Sequence, residues 1–145
     1  MNKVEVQRRI LTTVVGLVLL SVVLMIIIIL SVLQDTFAGV RPKSQVIGIV
    51  VIMILHLVIL YGFFSVKRAN KRGRPADKGL NIGLGILLLL FGLALMDGAF
   101  ASLDDDGLFL SVLMFISVFC DIVAALTTFG ALFLMPKMKN QTDLL

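Results

Sequence analysis

The sequence predicts an all-α integral membrane protein, an antiparallel bundle of four transmembrane helices with both termini cytoplasmic. Three observations carry that expectation. Four apolar runs, at about residues 10–33, 46–66, 82–103 and 108–135, occupy most of the chain. A hydrocarbon core about 30 Å thick takes about 20 helical residues, so each run is long enough to cross it. Composition agrees: of 145 residues, 59% are hydrophobic and 15% charged, with a mean hydropathy of +1.10, outside the balance of a soluble domain. Finally, the thirteen Lys and Arg residues are unevenly distributed. Lys3, Arg8 and Arg9 precede the first run, Lys67, Arg68, Lys71, Arg72, Arg74 and Lys78 fall in the connection 67–81, and Lys137 and Lys139 follow the fourth run. Only Arg41 and Lys43 lie on the other side, so the positive-inside rule puts both ends and the 67–81 loop in the cytoplasm.

Taken in order, the first run reads as an uncleaved signal anchor. It follows a basic tail, is longer than a signal-peptide core, and exits through Gln34-Asp35-Thr36-Phe37-Ala38-Gly39, a poor cleavage site. Gly39 and Pro42 break the helix before the second run, and Gly73-Arg74-Pro75 punctuates the cytoplasmic loop. Asp104-Asp105-Asp106-Gly107 turns the chain outside, with carboxylates suited to capping the fourth helix, and Pro136 closes that helix. Connections this short make sequential helices antiparallel neighbours and leave no room for an extramembrane domain, so 1–145 reads as one membrane domain.

The third run is the one patterned for close packing. Gly85, Gly92 and Ala99 recur every seven residues, and Gly79 with Gly83 forms a GxxxG at its cytoplasmic end. Small residues let helix backbones approach in lipid, either within one bundle or between copies.

Three ionisable residues lie inside apolar runs: His56 and Asp121 near mid-span and Asp97 toward the outer end of the third run. Such a charge costs about 2.5–3.5 kcal/mol on insertion scales and normally faces the bundle interior, a partner or water. Ser117, Asp121, Ala124 and Thr128 are spaced by four, three and four, which puts them on one helix face, with Cys120 and Thr127 flanking. The matching depth of His56 predicts a contact with Asp121 if the second and fourth helices touch, with Ser117 or Tyr61 as further polar company. Asp97 with Asp104 to Asp106 would form an acidic outer mouth. The contact reads either as an interhelical tie or as part of a proton or ion path.

Other chemistry is sparse. One His and one Cys cannot build a His-rich or multi-cysteine metal centre, so no metal is expected. No phosphate loop or serine nucleophile elbow occurs, and no enzyme activity or cofactor is expected. Basic residues of the 67–81 loop serve as a topology signal and could meet anionic lipid headgroups. Without interleaved aromatic residues they predict no nucleic-acid partner. Size and span number resemble the small multidrug resistance transporters, but no acidic residue lies between Glu5 and Asp35, where that family carries a glutamate in its first helix. Claudin-like tetraspan proteins differ too, since this chain has no Trp and one Cys. The expected function is a non-catalytic accessory or assembly subunit of a membrane complex. The alternative is an oligomeric proton- or cation-coupled transporter or channel using Asp121 and His56. Expected partners are the bilayer and another membrane protein or a second copy.

Overall fold

The computed structural model describes residues 3–39, 43–71, 78–105 and 108–134. They form four helices: α1 (Lys3–Phe37), α2 (Lys43–Lys71), α3 (Lys78–Asp105) and α4 (Leu108–Leu134). Each contains a stretch long and apolar enough to cross a membrane.

The helices run past the apolar segments that seeded them. α1 starts at Lys3, where Glu5 suits the positive end of the helix and meets Arg9 one turn on at 3.0 Å. α2 continues through Lys67, Arg68 and Lys71, because nothing breaks it before Gly73 and basic residues suit a helix carboxyl end. Within the expected 67–81 loop, residues 67–71 and 78–81 are helical, and 72–77 lie outside the described residues. Lys78 opens α3, while Arg72 and Arg74 lie outside the described residues. Asp104 and Asp105 likewise belong to the end of α3 rather than to the turn, and Asp106, Gly107 and Pro136 fall outside the described residues. α1 stops as expected at Gly39, whose positive φ of 76° only glycine adopts freely. There the Gly39 and Ala38 amides donate to the carbonyls of Thr36 and Gln34.

The four helices pack in a square, each touching its two sequence or ring neighbours, α1 against α2 and α4, α3 against α2 and α4. Two apolar clusters show the antiparallel order. One joins Val14 and Val18 of α1, Phe63 and Val66 of α2, Leu84 and Leu88 of α3, and Ala124 and Ala125 of α4. The other joins Met25, Ile28 and Val32 to Leu95, Ala99, Leu110, Met114 and Val118. Early α1 thus meets late α2, early α3 and late α4, as an up-down-up-down chain requires.

The bundle is uneven. Half of the α4 span is buried (50%), against 22% of the α2 span, and α2 leaves Ile54, Val58, Tyr61 and Phe64 on its outer surface. In lipid such a face needs no protein cover.

Candidate functional site: a polar layer across the middle of the bundle

Between the two apolar clusters lies a polar layer. Ser21, His56 and Asp121 sit close to the midpoints of α1, α2 and α4, and all three are fully buried, as is Ser117 one turn before Asp121. On an outer apolar face these groups would lack one another as partners; the helices are rotated so that they meet inside. On α4, Ser117, Asp121, Ala124 and Thr128 are all buried, as is the flanking Cys120, while Thr127 is half-buried.

His56 Nε2 lies 2.9 Å from Asp121 Oδ2. This contact crosses the diagonal of the square, where the α2 and α4 backbones do not come within 8 Å between Cα atoms. The two helices do not touch as neighbours; their side chains reach through the centre. On its other side, His56 Nδ1 is 3.0 Å from the carbonyl oxygen of Ile52, one turn back on α2. A carbonyl only accepts, so Nδ1 carries a proton and donates it. The bond to Asp121 then holds a single proton, on the imidazolium Nε2 or on the carboxylic acid Oδ2. Phe91 of α3 covers the ring, with centroids 5.6 Å apart and the planes tilted by 43°. Asp121 Oδ1 is buried with no hydrogen-bond partner among the described residues.

Gly92 of α3 closes the layer. A Cβ there would stand 3.3 Å from Ile122 Cγ1 and 3.5 Å from Asp121 Cβ, so a larger residue would push α3 off α4 at the level of the carboxylate. Gly85, one heptad earlier, faces the Phe129 ring at 3.1 Å and the Thr128 methyl at 3.5 Å, and Ala99, one heptad later, is fully buried. The heptad of small residues thus faces inward. Gly79 and Gly83 do not belong to it: both are exposed, and a Cβ at Gly83 meets nothing within 4 Å. Gly83 makes no close contact within the bundle, because α3 turns its other face to α4.

The remaining polar residues divide differently from expectation. Ser117 bonds Ser21 of α1, oxygen to oxygen at 2.7 Å, rather than joining the His56–Asp121 pair. Thr128 donates to its own helix at Ala124 O. Tyr61 is 75% exposed and stands on the outer face of α2, away from the layer. Asp97 is exposed on α3, so it does not join the buried set either.

Three features escaped sequence reasoning. Ser21 gave the only visible signal, as a polar interruption in an apolar run. Asn81 is buried near the start of α3, its Oδ1 without a partner among the described residues, at a position that reads as the edge of a span. Gly62 of α2 presses on Leu84, whose Cδ2 would lie 2.7 Å from an added Cβ. Among the described residues, no cluster of three His, Cys, Asp or Glu side chains is placed to hold a metal ion.

Compared with known proteins, the chain matches no family model, no curated protein and no solved structure.

Proposed function

We propose that this chain is a multi-pass membrane protein with both termini cytoplasmic, acting as a non-catalytic accessory or assembly subunit of a larger membrane complex. The observation that carries this reading is the His56–Asp121 bond. The two ionisable side chains best placed for chemistry are spent on each other, enclosed at the bundle centre, where they tie the least buried helix to the most buried one. A bond of that kind fixes helix rotation, and with it the pattern that α2 presents outward. The exposed apolar face of α2, from Ile54 to Phe64, is the surface offered to lipid or to helices of a partner. The orientation rests on the distribution of Lys and Arg, eleven on one side against Arg41 and Lys43 on the other.

A second reading is supported by Asp121 Oδ1, a buried oxygen with no partner among the described residues. In an oligomer, a carboxyl group with a free oxygen could relay protons or accept a cation that Asp97 helps to attract.

Flux measurement separates the two. Purified protein in liposomes under pH and salt gradients is expected to pass no more protons or cations than empty liposomes. A photo-crosslinking residue at Val58 is expected to give one discrete heavier adduct in native membranes. Flux that disappears in folded Asp121→Asn overturns the subunit reading in favour of transport. For orientation, a cysteine at Asp106 should label from outside with an impermeant reagent and one at Asn70 should not.

A further inference from the structure

We infer that the outer face of α1 is a binding site for one anionic phospholipid, separate from the polar layer and from the 67–81 connection. A shallow, open depression lies on that face, lined by Arg8, Arg9, Thr12 and Thr13. All four lining residues are exposed, and they stand where the candidate span of α1 begins, at Arg8. That is the depth of lipid headgroups.

The chemistry of the lining selects an anion that also carries hydroxyl groups. Arg9 meets Glu5 at 3.0 Å through one nitrogen and keeps its other donors for a ligand, while Arg8 supplies a second guanidinium. Thr12 and Thr13 donate to the carbonyls of Arg8 and Arg9. Their hydroxyl oxygens are left to accept, which suits a headgroup alcohol beside the phosphate.

What lies along the helix completes the shape. One turn on, Gly16 is exposed and a Cβ there would meet nothing within 4 Å, so the helix surface is notched below the basic patch. The same face continues through Leu19, Leu20, Val23, Ile27 and Leu30, all exposed and apolar. A basic patch, a notch and an apolar track in line match a phosphate headgroup, glycerol backbone and acyl chains. Free phosphate would use only the first of these. The inference rests on the membrane-spanning reading of α1.

The test is lipid retention by the purified protein in detergent, read by native mass spectrometry with phosphatidylglycerol and phosphatidylcholine of identical chains. Wild type is expected to keep one phosphatidylglycerol in preference to phosphatidylcholine. Removing both charges with Arg8→Gln and Arg9→Gln is expected to weaken retention more than tenfold, since each basic residue near a headgroup contributes about fivefold. Gly16→Leu, which fills the notch in open space, is expected to weaken it as well. Lys67→Gln with Arg68→Gln is expected to leave it unchanged. Equal retention by the Arg8/Arg9 variant, equal loss in the Lys67/Arg68 variant, or full displacement by glycerol 3-phosphate would each overturn the site. Carbonate extraction of native membranes checks insertion separately, so a chain that fails to insert is recognised before lipid is added.

Discussion

Asp121 and Asp97 are the same side chain in two apolar helices, yet one is enclosed at the bundle centre and the other is exposed. The difference lies in what each helix carries beside it. Asp121 is flanked on its own face by Ser117, Ala124 and Thr128, so turning that face inward satisfies several polar groups at once and brings His56 within 2.9 Å. The inward face of α3 is already taken by Gly85, Gly92 and Ala99, which let it lie close to α4. Asp97 falls off that face and is left outside. A carboxylate in an apolar helix is therefore informative in proportion to the stripe it belongs to, not simply to its position along the helix.

The largest effect should come from cutting the central bond. Asp121→Leu leaves His56 Nε2 buried without a partner, which costs about 1–3 kcal/mol. Asp121→Asn, whose amide can donate to the same nitrogen, should lose about 0.6 kcal/mol or less, the mean for interhelical polar contacts. Asp97→Leu should leave stability unchanged. Unfolding in mixed micelles measures all three, and equal losses for Asp97→Leu and Asp121→Leu would break the comparison.

A second contrast sits on α3 itself. Gly92→Leu overpacks the contact with Ile122 and Asp121 and should cost about 1–3 kcal/mol, whereas Gly83→Leu projects into open space and should cost nothing measurable in the monomer. If Gly83→Leu instead abolishes a dimer seen in native gels, the exposed GxxxG is an interface between copies.

Smaller still is the Ser21–Ser117 contact. A double-mutant cycle of Ser21→Ala and Ser117→Ala should give a coupling of about 0.6 kcal/mol. The smallest effect is a proton position rather than an energy. Nitrogen-15 NMR of His56 should find Nδ1 protonated, and Asp121→Asn should leave that signal in place because Ile52 O still holds it. An unprotonated Nδ1 would remove the one-proton description of the pair.

Much of this was legible along the chain. Helix number follows from apolar runs whose length matches a bilayer, and the inward face of α4 follows from polar residues at helical spacing, which no lipid-facing stripe would carry. Gly85, Gly92 and Ala99 announced a close-packed face through their heptad spacing. Gly79 and Gly83 misled because their own spacing is equally helical, and a pattern of small residues does not say which of two faces meets the neighbouring helix. Helix ends were read short for a related reason. Hydropathy stops at Ile10 or Val66, but backbone hydrogen bonding does not, and a helix runs on through charged residues wherever no Gly or Pro intervenes.

The sequence by itself determined four helices, their antiparallel order and the depth of His56 and Asp121, because hydrophobic length, short connections and residue count are local quantities. Only the tertiary structure decided that these two side chains meet across a diagonal rather than between neighbours. It alone paired Ser117 with Ser21, and it alone placed Asp97, Gly79 and Gly83 on the outside. Those outcomes depend on how each helix is rotated about its axis, and rotation is set by all the faces packing together.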